Sequence, residues 1–499
     1  MRKNFYLGTI SVLACLVAGA VRADDLAVRI VLPAEPADID ACNTTVSGIG
    51  IIVKENVAET LTVLDPDTSE VRPRLATSWT DVGNGTWRVT LRPGVTFHDG
   101  APLDAGAVVK AIERLKNEAL TCRDRTKIRG VELKTAVVDE LTLDITANPP
   151  QVLMPTLLSF IGVASPNTPM DQMSRAPIGT GPMAFKSWDA SGITLKRYDG
   201  YWGDKPAAAT ASYLFRGESA LRASMVEIGE ADIAADIAPQ DATDPAHDVA
   251  FLNGETTRIR LVMQPPLDDI RVRKALNLAF DREALVGTLV SDTVLLSTQY
   301  FLPKINGYNP DLKVWPYNPD QAKALIAAAR ADGAPVDKEI RLVGRIGFFP
   351  NEEEVLQVLQ QMWAAVGLNV KVEMMESAEW LKLVNKPYPE DRGAMMIQEM
   401  HDNNNGDAAF TMQFRYHSTG QQSEMSDPKI DALLDKALAA TGTERTEAFQ
   451  EANRIIADEI VPAVPMYHMV SYMRIGDRIS YVPNSLSGSM ILIDDITPK

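Results

Sequence analysis

Residues 339–375 leave little choice of architecture. EIRLVG (339–344) alternates apolar and polar side chains as a strand does. NEEEVLQVLQQMWAAVG (351–367) repeats its apolar residues at helical spacing, and NVKVEMM (369–375) alternates again. A strand, a helix and a strand in that order pair the strands in parallel through a right-handed crossover. The segment therefore predicts an α/β fold, whose open sheets bind ligands at the carboxyl ends of their strands. Asn351 and Glu354 stand at capping-box spacing, and Gly367 closes the helix.

Similar signals run along most of the chain. TWRVTLRPGVTF (86–97), LTLDI (141–145) and the start of GITLKRYDGYWGDKP (192–206) read as strands. Asp104 is placed to cap a helix striped by Val108, Ala111, Ile112 and Leu115. Residues 268–286 form an amphipathic helical pattern, and Asn318, Pro319 and Gly333 bracket another. Asp427 with Pro428 starts a further helix, and Thr443 a last long one. AMMIQEM (394–400) reads as a strand, and HDNNNGD (401–407) lies just past its end, where a binding loop belongs.

At 499 residues the chain exceeds one core, so two or more lobes are expected. Its formal net charge is −17, and no long basic run interrupts the acidic balance. That argues against nucleic acid and anionic membrane surfaces as partners. MRK followed by the apolar FYLGTISVLACLVAGAV, with a cut after Ala23, has the three parts of a secretory signal. Removing residues 1–23 takes away Arg2, Lys3 and Arg22, so −17 becomes −20. The mature chain is expected to be exported and free in its compartment. Cys15 leaves with the signal. Cys42 and Cys122 remain in an oxidising compartment and are expected to be bonded, two separate buried thiols being the alternative.

A search for reactive constellations finds no P-loop, no G-x-S-x-G elbow and no H-E-x-x-H. Of His98, His247, His401, His417 and His468, only His401 and His417 are near each other in sequence. Carboxylates such as Asp402 and Asp407 could do acid–base work, but pairs like this arise by chance in so acidic a chain. The residues argue against an enzyme and imply no cofactor. Methionines at 395, 396, 400 and 412 surround the HDNNNGD loop and suit either core or an adaptable pocket.

Five ordered blocks resemble a known family. They are VAETLTVLDPDTSEVRPRLATSW (57–79), LRPGVTFHDGAPLDAGAVVKAIERL (91–115), APIGTGPMAFKSW (176–188) with YDGYWGDKP (198–206), IRVRKALNLAFDREALV (270–286) and YNPDQAKALI (317–326). Together they resemble the extracytoplasmic solute-binding proteins of family 5, the peptide-, nickel- and opine-binding components of ABC importers. The resemblance implies a two-lobed periplasmic binding protein of type II, with an extra subdomain inserted in the first lobe. Lobe I is expected at 24–64, 179–262 and 470–499, the inserted subdomain at 65–178 and lobe II at 263–469. The GTGP turn would mark the return from the insertion, its glycines supplying unusual φ. A monomer is implied, delivering its ligand to permease subunits served by cytoplasmic ATPase subunits. A ligand-loaded co-receptor for a sensory membrane protein is a second role.

The resemblance also implies a site. Peptide-binding members carry a Trp three residues before an Asp that pairs with the peptide amino terminus. Met400 and Asn403 stand at those positions here, so this chain departs from the pattern, and the adjacent Asp402 is the substitute carboxylate. Asn403, Asn404 and Asn405 suit amide or hydroxyl groups of a capped peptide, opine or oligosaccharide. His401 and Asp407 complete the loop, and His417 lies near the place where the nickel-binding member reaches a chelated metal. Asn43 and Thr44, after VRIVLP, and Arg345, after EIRLV, are further candidates by strand-end geometry.

Overall fold

The computed structural model describes residues 26–403 and 405–499. The expected export segment and Asn404 lie outside the described residues. Eleven strands form one mixed sheet. Its order from one edge is Val370–Met375, Ile340–Arg345, Met395–Asp402, Asp248–Leu261, Ala463–Ile475, Ile233–Ile237, Leu26–Leu32, Ala208–Phe215, Gly192–Arg197 and Met183–Asp189. Leu295–Leu296 pairs beside Ala463–Ile475.

The expected strand–helix–strand unit is present. Ile340–Arg345 and Val370–Met375 run parallel in register, from Ile340 opposite Val370 to Arg345 opposite Met375. The helix Glu352–Ala364 between them buries Val355, Leu356, Leu359 and Trp363. The Trp363 indole donates to the Leu276 carbonyl at 2.9 Å. The capping box does not form. Asn351 adopts φ 60° without a cap bond, and its amide donates to the Leu289 carbonyl at 3.1 Å instead. Asp104, Asn318 and Asp427 do cap their helices, accepting from Ala107, Gln321 and Lys429 backbone N–H groups.

Two long strands pass between two hydrophobic cores. Asp248–Leu252 pairs with Val470–Arg474, whereas Thr256–Arg260 pairs with Ala463–His468, and the register breaks between them. Phe251, Met473 and Ile475 belong to one core. Ile259, Leu261, Val464 and Met466 belong to the other. The outgoing strand thus changes cores at Asn253–Glu255, before the expected boundary at 262–263. At 14 residues it is long enough to run through both lobes. Adjacent irregular segments joining two packed cores are where a hinge can absorb motion.

A third core surrounds the four-stranded antiparallel sheet of Ala76–Gly83, Thr86–Leu91, Thr142–Asn148 and Glu132–Asp139, packed on the helix Ala105–Lys116. Cys42 and Cys122 form a disulfide with Cα atoms 5.2 Å apart, tying this subdomain to the turn Ala41–Asn43. Arg114 supports the junction, its Nη1 and Nη2 each 2.6 Å from an Asp40 carboxylate oxygen, both side chains buried. Intact mass after isolation without reductant is expected to rise by two hydrogens, about 2 Da, on reduction. Two free thiols before reduction would contradict the bond.

The GTGP turn needs its glycines for a reason other than unusual φ. Neither Gly179 nor Gly181 has positive φ. A Cβ on Gly179 would lie 1.9 Å from the Val57 carbonyl oxygen, and one on Gly181 2.4 Å from that of Asn56. Close backbone approach selects glycine here. Among the described residues no helix is long and apolar enough to cross a membrane.

Candidate functional site

The crossing strands open onto a cavity of about 670 Å³ lined by both lobes and the inserted subdomain. Three carboxylates gather where the lobes meet. Glu255 sits at the register break and faces Asp402 directly across the neighbouring antiparallel strand. Asp236, in the strand Ile233–Ile237, is held at φ 54°, and its carbonyl accepts from Arg222 Nη2 at 2.5 Å. Like charges placed opposite each other in a sheet repel. Burial pushes the Glu255 carboxyl up to about 7, the Asp402 and Asp236 charges add to the rise, and the Arg345 charge opposes it.

Two lysines line another wall. Lys54 follows the helix Ser47–Val53, and Lys127 lies in the turn Asp124–Ile128. Their ammonium groups sit 5.4 Å and 4.8 Å from the centre of the Phe160 ring. Burial lowers the pKa of both lysines, with nearby acids working the other way. Asp124 holds this wall together. Its carboxylate accepts from the backbone N–H and hydroxyl of both Thr44 and Thr45, at 2.5–3.0 Å.

The lobes touch beside the cavity. Lys127 Nζ donates to Asn405 Oδ1 at 3.3 Å. Lys304, from the second lobe, donates to the Pro66 carbonyl at 2.7 Å and to the Ser485 hydroxyl. Gly406 fits so tightly that a Cβ there would lie 2.9 Å from the Ser69 carbonyl oxygen.

Of the sequence candidates, Thr44, Asp402 and Asn405 line this cavity. The Thr44 hydroxyl is already engaged by Asp124. Asn403 is buried, its amide donating to Thr411 Oγ1 at 2.7 Å and to the Asp407 carbonyl at 3.3 Å. Asp407 accepts from Arg445 Nε at 2.8 Å and Nη2 at 2.7 Å. His401 is buried between the Tyr300 and Phe410 rings, and its Nε2 shares a 2.8 Å hydrogen bond with Thr411 Oγ1. Burial, then the Arg415 and Arg258 charges, hold its pKa well below the usual histidine range, so it stays neutral. These residues build the loop from behind and do not face the cavity.

The remaining candidates lie elsewhere. Asn43 bridges Asp38 and the Arg123 backbone N–H. The Arg345 guanidinium lies 3.6 Å from the Phe348 ring centre and acts on the site only through its charge. His417 shares a 2.7 Å hydrogen bond with Thr419 and faces Asp431 and Asp435 in the second lobe, so it is not at a metal-chelate position in the cavity. Among the described residues no group of three or more His, Cys, Asp or Glu side chains could hold a metal ion. Sequence reasoning missed Lys54, Lys127, Asp236, Glu255 and Phe160. A lysine inside the apolar run IIVKENVA was the one local signal; the rest depends on which strands become neighbours.

The sequence profile described as bacterial extracellular solute-binding proteins, family 5 middle, matches residues 70–423. The dipeptide-binding protein of Escherichia coli K12 is 26% identical over 441 residues, covering 80% of this chain and 81% of that protein. The glutathione-binding protein GsiB of Salmonella paratyphi A is 28% identical over 438 residues, covering 81% of each. HbpA2 from Haemophilus parasuis superposes with TM-score 0.84 at 22% identity, over 95% of this chain and 100% of that one. The periplasmic binding protein DppA from Helicobacter pylori, in complex with the peptide STSA, gives TM-score 0.70 at 19% identity, over 95% and 98%. With its two-lobed α/β architecture and a profile match spanning most of its length, this chain belongs to the family 5 bacterial extracellular solute-binding proteins.

Proposed function

We propose that the protein is the periplasmic receptor of an ABC importer and captures a short peptide with both termini free. The observation that carries this reading is the facing pair Glu255 and Asp402, with Asp236 beside them, in a cleft that also presents Lys54 and Lys127. A peptide ammonium offsets the repulsion among the acids, and its carboxylate answers the lysines. The names of the dipeptide- and glutathione-binding relatives support the same ligand class. Lobe I comprises 26–64, the segment from 179 to the crossing at Asn253–Glu255, and 470–499. Residues 65–178 are the insertion, and lobe II runs from the crossing to 469. Export by a cleavable signal brings the monomer to the permease, and closure of the lobes commits the ligand.

Calorimetry with alanyl-alanine, its N-acetyl derivative and its C-terminal amide tests the reading. Blocking either end should weaken binding about tenfold or more, the scale of one charge-assisted hydrogen bond. Equal affinity for all three would refute it.

The site should also respond to pH. Glu255 holds a proton up to about pH 7 in the free protein. An ammonium ligand favours its ionised form, so binding releases that proton. Affinity for alanyl-alanine should therefore climb as pH rises from 5 to about 7, and Glu255→Gln should flatten the profile. The effect on stability has the opposite sign. The folded chain holds the proton more tightly than the unfolded one, so this group's contribution falls as pH rises from its ordinary 4.5 towards about 7.

A further inference from the structure

A second cavity, of about 370 Å³, lies within the second lobe and apart from the cleft. It is enclosed by the start of the strand Ala463–Ile475, the segment Ser297–Tyr300, the loop Asp311–Pro316 and the π-helix Ile455–Ile460. π-Helical turns are rare and concentrate at functional sites. This one ends on Val461 at φ 52°, a costly conformation for a β-branched residue.

Its inner wall carries Arg258, part of a buried ionic cluster. Arg258, Arg260, Arg392 and Arg415 share only Glu399 and Glu424 as ion-pair partners among the described residues, which leaves two more cations than anions. The Arg258 and Glu399 side chains are 4% and 0% exposed, so solvent does not screen the excess. Burial pushes the Glu399 carboxyl up, yet Arg260, Arg258 and Arg415 hold it down at about 2. Aromatic faces offset part of the cationic charge. The Arg258 guanidinium lies 4.0 Å from the Tyr300 ring centre and 5.0 Å from that of Tyr416, and both rings line the cavity.

Two further lining residues point the same way. The hydroxyl oxygens of Ser297 and Tyr300 are buried and have no hydrogen-bond partner among the described residues. An anion would accept from such groups. Val314, Trp315, Ile456 and Pro465 supply an apolar part of the wall, beside the polar Thr298, Gln299 and Asn453. Asp311, Lys313 and Asp458 stand exposed at the rim, where water screens them.

We propose that this cavity binds a small organic carboxylate with an apolar or aromatic body, independently of the peptide cleft. The carboxylate meets Arg258 and the two hydroxyls, and the body fills the space against Trp315. Phenylacetate, with phenylacetamide as its neutral counterpart, tests this by calorimetry on the intact protein. Phenylacetate should bind, and the amide about tenfold more weakly or worse, because only the acid carries the charge. Ala457→Trp, which fills the space, should abolish phenylacetate binding and leave alanyl-alanine binding unchanged. Ser297→Ala removes one buried oxygen and should weaken phenylacetate severalfold, which keeps the test open if the larger substitution does not fold. No phenylacetate binding, equal binding of the amide, or binding indifferent to both substitutions would overturn the proposal.

Discussion

Asp407→Ala lowers the unfolding free energy by about 3–4 kcal/mol, the range for breaking a buried ion pair from one side. Arg445 Nε and Nη2 reach the two Asp407 carboxylate oxygens at 2.8 and 2.7 Å, and the side chains are 3% and 6% exposed. The same carboxylate accepts from Asn306 Nδ2 at 2.8 Å and from the Ala409 N–H, at the start of the helix Ala409–Arg415, at 2.8 Å. Removing it strands a guanidinium and loosens the base of the binding loop at once. Denaturant unfolding of Asp407→Ala, Arg445→Ala and the double variant checks this. The double variant should cost less than the sum of the singles, because the second change removes the stranded partner. A loss below about 1 kcal/mol for Asp407→Ala would place the pair in the weak class of exposed salt bridges.

Asp402→Ala has the largest expected effect on ligand capture. It should raise the dissociation constant for alanyl-alanine about thirtyfold at pH 7, or about 2 kcal/mol, as expected for losing a charged hydrogen-bond partner. The folded state should lose at most about 1 kcal/mol, because the Asp402 side chain is exposed and faces Glu255 across the strand pair, although its charge also favours the Lys127 and Lys304 ammonium groups. Its loss relieves repulsion and lets the Glu255 carboxyl fall back towards its usual range, so the pH profile should shift to lower pH. Asn403→Ala should behave oppositely. That side chain is buried, and its loss leaves Thr411 and the Asp407 carbonyl without its amide. Calorimetry paired with thermal melts separates the two. Unchanged affinity in Asp402→Ala would remove this loop from the site.

What the sequence made legible was local. The strand–helix–strand unit at 339–375, the caps at Asp104, Asn318 and Asp427, and the strand ahead of HDNNNGD were readable because periodicity and capping act over a few residues. The placement of that loop at the cleft followed from strand-end geometry, yet its residues divided in a way composition does not encode. Asp402 and Asn405 turn outward, whereas His401, Asn403 and Asp407 turn inward to Thr411 and Arg445. Alternation at the strand end turns His401 inward and Asp402 outward, but past Asp402 the chain bends and strand periodicity no longer sets the side.

The acidic centre was hidden for a different reason. Glu255 and Asp402 are far apart in sequence and meet only because the strand Asp248–Leu261 lies between Met395–Asp402 and Ala463–Ile475. Lys54 and Lys127 likewise come together over Phe160 only when the inserted subdomain docks. Strand order across a large mixed sheet is a global property, and no short window of sequence reports it.

Small-angle scattering of the protein, with and without saturating alanyl-alanine, tests most directly whether two lobes hinged at Asn253–Glu255 shut on the ligand. The account predicts a smaller radius of gyration in the presence of the dipeptide, and a smaller decrease in the Asp402→Ala variant at the same dipeptide concentration. Superimposable profiles for the wild-type chain, under conditions where calorimetry shows the dipeptide bound, would contradict it.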